Sequence, residues 1–411
     1  MLTRWVKKGL LLLDSPWNAA LIAAGIYVGF AFFDSLWEKP TFFNFYSYLA
    51  DAFWHGQINL RLIPANTMDL LHYQGKVYLY RPPLPAVFLI PFVAIWGVQI
   101  SYLPFTLGLG VLDVGLVALL LRVLNQKEIL HLSPLQRGII VFAFAFGTPF
   151  AIFPASGHIW LFGQLLAITF SLLAYLSALG GSGVKAFMLT GLWLAAVLAT
   201  RTQMVFLGLW PLYYLSSQQE PTIVKARLKH FLALAAPLFV AVVLLMTYNW
   251  LRFGSVIDTG YEYQEVDLPY LADIKQYGQF NLVYIPRNLD YHWLSYPFLS
   301  QEANGIFKGG SLFLMSPIFF SVGWAFWNHR RQWTVWVLVI TCILVYIPSA
   351  LHINSGYVQM GSRYLMDFIV PLLILTGMGI QYWPDRTSGY LAMISFVNFF
   401  AGNLIYLKFT S

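Results

Sequence analysis

Charge is what this chain has least of. Only 10% of its 411 residues are Asp, Glu, Lys or Arg, against 59% hydrophobic, and the mean hydropathy is +0.66. A soluble globular chain carries about 25% charged residues, so water is excluded as the main solvent of this surface. Cysteine is almost missing too. The lone Cys342 rules out an intrachain disulfide and, lying in an apolar run, reveals no compartment. The chain has no internal repeat and no low-complexity tract, which weakens a reading as a secondary transporter built from paired halves. No cleavable signal peptide is evident: residues 1–14 are basic, and the apolar segment that follows is long enough to remain as an anchor.

What is abundant is apolar length and aromatic side chains. The 15 Trp, 24 Tyr and 34 Phe suit a protein whose rings gather where hydrocarbon meets headgroups. Apolar segments at 17–35, 103–121, 138–154, 159–179, 186–200, 203–216, 231–251, 310–327, 333–351, 364–381 and 388–407 predict an all-α polytopic membrane protein of about eleven transmembrane helices. Residues 1–411 then form a single integral membrane domain. The net charge of +7 raises the question of nucleic acid. The basic residues, however, sit in short stretches between apolar runs rather than on a polar domain. Membrane lipid is therefore the expected partner, and nucleic acid is not.

The stretch 83–97 is apolar but short and carries Pro83, Pro85 and Pro91. If it does not cross, one side of the membrane receives Arg4, Lys7, Lys8, Arg122, Lys127, Arg137, Lys185, Lys225, Arg227, Lys229, Arg330, Arg331 and Arg386. Those short basic loops belong in the cytoplasm, with the N-terminus. The plasma (inner) membrane is the expected location. Two long segments, 36–102 and 252–309, then face outward and hold most of the acidic residues, so any chemistry is expected to be extracytoplasmic.

Within the first outer loop, residues 44–56 (NFYSYLADAFWHG) bring Tyr46, Leu49, Ala50, Phe53 and Trp54 to one side at helical spacing, predicting an amphipathic helix at the interface. Asp51 and His55 lie on its polar face. Asp69, His72, a turn at Gly75 and then Arg81-Pro82-Pro83-Leu84 follow. An arginine before a rigid apolar helix either snorkels to headgroups or grips a lipid phosphate through its planar fork of donors. Arg363 and Asp367 stand one α-helical turn apart, which predicts that they pair. Arg201 lies between two short spans on the same side. Asp113 lies mid-span and is expected to face the interior with a partner or to be protonated. His158 lacks a second ligand at metal-binding spacing.

The order of these motifs resembles a known family. Tyr46, Ala50, Gly56, Arg81-Pro82-Pro83-Leu84 and Gly97, with Gly147-Thr148-Pro149, Gly157-His158, Arg201, Tyr248 to Gly254 and Gly361-Ser362-Arg363-Tyr364, look like the GT-C membrane glycosyltransferases. The nearest group is that of the protein O-mannosyltransferases and lipid A aminoarabinose transferases, glycosyltransferase family 39-like. The resemblance implies a GT-C-like bundle with extracytoplasmic interfacial helices. It also implies an enzyme that moves a sugar from a polyprenyl-phosphate donor to an acceptor hydroxyl on a glycan, lipid or protein, with inversion. No cofactor is certain beyond the lipid-linked sugar donor, and a divalent metal stays open.

Arg81 matches the residue that grips the donor phosphate in that family, with Arg363 and Arg201 as further contacts. The family's acidic pair falls on Phe42 and Phe43 here. The base is therefore sought first at Asp34, at the outer end of the first span, and then at Glu38, Asp51 and Asp69. Asp69, His72 and His158 are candidates for substrate binding. Three alternatives stand beside this reading: a transporter or flippase for a lipid-linked substrate, an O-antigen ligase or polymerase-like enzyme using a diphosphate carrier, and an inactive relative.

Overall fold

A computed structural model describes residues 4–33, 44–218, 224–266, 268–299, 308–356 and 359–410. In chain order its first elements are α1 (Arg4–Leu12), α2 (Pro16–Phe33), α3 (Phe45–Trp54), β1 (Leu70–Tyr73), β2 (Lys76–Leu79) and α4 (Leu84–Trp96). Next come α5 (Leu103–Gln126), α6 (Pro134–Phe146), α7 (Phe153–Ser156), α8 (Ile159–Leu179), α9 (Val184–Leu198), α10 (Leu209–Ser217) and α11 (Val224–Phe253). The last third holds α12 (Leu268–Tyr277), α13 (Ile285–Leu289), β3 (Lys308–Gly309), α14 (Leu312–Met315) and α15 (Ser321–His329). It ends with α16 (Trp333–Leu351), β4 (Gln359–Met360), α17 (Ile369–Ile380) and α18 (Asp385–Thr410).

The chain is an all-α membrane protein. Among the described residues, α5, α8, Arg227–Phe253 of α11, α16 and Arg363–Ile380 are each long and apolar enough to cross a bilayer. The bent pairs α1–α2 and α6–α7 raise the number to seven when each counts as one span. Of the other apolar stretches, 186–200 falls on the short helix α9 and 388–407 within the continuous α18, whereas two are interrupted. Residues 310–327 break into α14, a 3₁₀ turn at Pro317–Phe320 and α15, and 203–216 divides between the 3₁₀ segment Thr202–Gly208 and α10. Proline at a helix start has no amide to give to the preceding turn, so the break before Pro317 is local chemistry rather than loss of the apolar pattern.

One apolar core runs from Leu10 and Leu13 through the faces of α5, α6 and α8 to α17 and Ala392 of α18. Close helix contacts rely on missing β-carbons. A Cβ on Gly138 would overlap the Leu10 carbonyl oxygen, one on Gly191 that of Leu234, and one on Gly379 that of Ser321.

The two ends of the bundle differ. At one end Arg137 holds Asp14 through two hydrogen bonds of 2.6 and 3.1 Å, with Arg122 4.0 Å away. Ser133 and Gln136 cap α6 reciprocally, and Gln136 reaches the Ile380 carbonyl. Gln381 joins the His131 amide to His329. At the other end the segment 83–97 starts beside α3 and returns to it: Asn44 donates to the Ile100 carbonyl, and Ser47 donates to the Tyr102 hydroxyl. Both flanks of α4 therefore lie near α3.

The structure corrects the expectation for α3. Phe45 through Ala52 are all buried on every side, wedged against α4 and α8, and only Trp54 is strongly exposed. It is a packed helix, not one with a wet polar face.

Candidate functional site

At the end that holds α3, three segments distant in sequence meet. The hairpin β1–β2 turns at Gln74 and Gly75, whose positive φ angles of 48° and 72° fit a two-residue turn. It delivers Tyr80 and Arg81 just before α4. The Leu84 amide donates to the Ala199 carbonyl at 3.1 Å, pinning this corner to the end of α9 and hence beside Arg201. The 3₁₀ segment Arg363–Phe368 supplies Arg363, Tyr364 and Asp367.

Arg201 donates through Nε to Asp367 Oδ1 at 2.8 Å. Gln164 donates to the same oxygen at 2.6 Å and Gln203 to Oδ2 at 3.1 Å. Three donors and no acceptor around a buried carboxyl group mark it as a carboxylate. This pairing corrects the expectation that Arg363 and Asp367 pair. In a 3₁₀ helix of three residues per turn, positions four apart diverge by about 120°. Arg363 instead faces the rings of Trp160 and Tyr364, at 5.9 and 5.4 Å from their centroids.

Arg81 is half-buried among Tyr80, Tyr46, Asp69 and Tyr261, with its guanidinium 4.9 Å from the Tyr80 ring centre. Burial works against its charge, but those neighbours outweigh burial and hold it protonated. Burial also raises the phenols of Tyr46 and Tyr261 above their ordinary value, even with Arg81 and Arg201 beside them. Among the described residues neither Arg81 nor Arg363 has a carboxylate within the 4.0 Å of an ion pair.

Asp69 shares this neighbourhood and has a left-handed backbone, φ 69°, a conformation that costs energy in any residue with a β-carbon. It is held from the second long loop. Gln264 donates to its Oδ1 at 3.0 Å, its amide donates to the Glu265 carbonyl, and Gln279 in turn braces Gln264. His158 and His352 complete the cluster. Burial, with Arg363 nearby, lowers the pKa of His158. Burial pushes that of His352 down to about 4, with Arg363 and Arg81 acting in the same direction. Both imidazoles are neutral near pH 7. His158 Nδ1 is buried without a hydrogen-bond partner among the described residues.

Arg81, Arg201, Arg363, Asp69 and His158 thus converge. Two other candidates do not join them. Asp51 gives both carboxylate oxygens to Arg61, at 2.9 and 3.0 Å, a buried carboxylate in an ion pair where a solvated side chain was expected. His72 lies on the solvent side of β1, 3.1 Å from the exposed Glu265. Asp34, Glu38 and the Phe42-Phe43 position lie outside the described residues.

The residues that sequence reasoning missed are Tyr261, His352 and Gln164. Only Gln164 carried a signal, as a polar side chain inside an apolar run. Among the described residues no group of three His, Cys, Asp or Glu side chains is arranged to hold a metal ion. Searches of protein-family models, of curated proteins and of solved structures found nothing that matches this chain.

Proposed function

We propose that this chain is a glycosyltransferase of about eleven membrane crossings. It would move a sugar from a polyprenyl-phosphate donor to an acceptor hydroxyl on the outer face, with a GT-C-like fold. The observation that carries the reading is the meeting of Arg81, Arg201, Arg363, Asp69 and Asp367 at the end of the bundle opposite the basic loops.

Charge supports one class of donor. Three guanidinium groups face two carboxylates, and the two imidazoles are neutral, so the cluster carries one net positive charge. A sugar phosphodiester of a polyprenol carries one negative charge and balances it. A diphosphate carrier would bring at least one charge too many.

Arg81 and Arg363, which have no carboxylate of their own, would hold the phosphate oxygens, and Arg201 would be oriented by Asp367. Asp69 takes the role first sought at Asp34. Its free oxygen accepts the acceptor's hydroxyl proton as that oxygen attacks the anomeric carbon. The bond from that carbon to the phosphate oxygen breaks, the configuration inverts, and polyprenyl phosphate leaves with its charge held by the arginines.

Arg81→Ala should slow turnover of a radiolabelled polyprenyl-phosphate sugar by about 10²–10³-fold. A wild-type rate in that variant would overturn the assignment.

A further inference from the structure

The opposite end of the molecule carries a second charged feature that the proposed reaction leaves unused. α1 turns 110° away from α2 instead of continuing it, so it lies across the bundle end rather than along it. Its residues divide three ways. Val6, Leu10 and the following Leu13 face the protein, and the Leu10 carbonyl is in contact with Gly138 of α6. Trp5 and Leu12, 80% and 51% exposed and seven positions apart, share one side of α1, and Trp17 at the start of α2 is 81% exposed. Arg4, Lys7 and Lys8 are exposed on the remaining side, with the Lys8 ammonium 5.5 Å from the Trp5 ring centre.

Among the described residues no acid is paired with these three cations. α1 contains none, and the next one along, Asp14, is taken by Arg137. The Asp14–Arg137 bridge also fixes the turn between α1 and α2, so the geometry is held rather than adopted on binding.

We propose that α1 is a binding site for the headgroup of an anionic phospholipid, with Trp5, Leu12 and Trp17 entering the acyl boundary and Arg4, Lys7 and Lys8 contacting the phosphate. Charge complementarity selects the occupant. A tilted helix with a cationic edge beside an exposed tryptophan flank matches the depth profile of a lipid interface, apolar below and anionic above. The rival view is that these charges only orient the chain, in which case no headgroup is preferred.

The test uses the full-length chain, delipidated in detergent and titrated with phosphatidylglycerol or phosphatidylcholine, with bound lipid counted by native mass spectrometry. The wild-type chain should retain phosphatidylglycerol in preference to phosphatidylcholine. Replacing Arg4, Lys7 and Lys8 together by Gln should weaken phosphatidylglycerol binding by about fivefold per residue, on the order of 10² in all. An Arg330→Gln/Arg331→Gln control at another basic turn should retain it. Equal retention of the two lipids, undiminished phosphatidylglycerol binding in the triple variant, or an equal loss in the control would each overturn the proposal. Since Arg4, Lys7 and Lys8 are exposed, an unchanged thermal transition in phosphatidylcholine confirms that any loss is one of binding.

Discussion

Asp367 is 1% exposed and the Arg201 side chain 12%, and removing the arginine from this largely buried pair leaves a naked charge. Arg201→Ala should destabilise the protein by about 3–5 kcal/mol. It should also weaken donor binding beyond the loss of one contact, because the freed carboxylate would cancel a neighbouring arginine. Arg201→Ala/Asp367→Ala should recover part of both losses in a double-mutant cycle; strictly additive losses would mean that the two residues act separately.

Histidines set the pH response. His292 is buried between the Tyr346 hydroxyl and the Ser355 carbonyl, and burial pushes its pKa from 6.5 to about 4, as it does for His352. The folded chain leaves these rings neutral, whereas the unfolded chain protonates them below pH 6.5. Stability is therefore complete above pH 6.5 and falls as pH drops from 6.5 to about 4. Melting curves in detergent should show that decline, and His292→Gln should flatten it. Of the site itself, Arg81, Arg201 and Arg363 were legible because an arginine at a span end has few inexpensive roles. The true partner of Asp367 was not, because α-helical spacing does not apply where the backbone takes the tighter 3₁₀ winding.

Among the elements, helix contacts through glycine are the most exposed to substitution. Gly191 of α9 lies against the Leu234 carbonyl of α11, so Gly191→Ala must push the two helices apart and should cost about 1–3 kcal/mol. A β-carbon on Gly25 of α2 would meet no other atom within 4 Å, and Gly25→Ala should be neutral or mildly stabilising by comparison. Equal thermal shifts for the two would refute the contact. The apolar segments were readable from hydropathy, because long runs of Leu, Phe and Val have one comfortable solvent. Their interruptions were less so. The complete burial of α3 depends on neighbours far along the chain, which local periodicity cannot register, and the break before Pro317 comes from the proline itself, which hydropathy does not weigh.

At the scale of the whole molecule, the basic loops gather at one end and the arginine cluster at the other. That polarity was legible from lysine and arginine placement alone. It predicts a labelling outcome. Cys342 packs against the core, so cysteines introduced at Phe280, beside the cluster, and at Asn328, beside the basic end, can be read individually. An impermeant thiol reagent added to intact cells should modify the Phe280 position and spare the Asn328 position. Modification of both, or of Asn328 alone, would remove the basis for an outward-facing reaction.

The hold on Asp69 has a practical consequence. Its carboxylate is steered by Gln264, 195 positions further along the chain, and Gln264 is itself braced by Gln279 beside the exposed Phe280. A binder that grips this loop would reach the carboxylate proposed as the base by leverage, without imitating a phosphate. Blocking agents for such a protein can therefore be sought among water-soluble ligands of residues 261–280, where lipid analogues would otherwise be the obvious starting point.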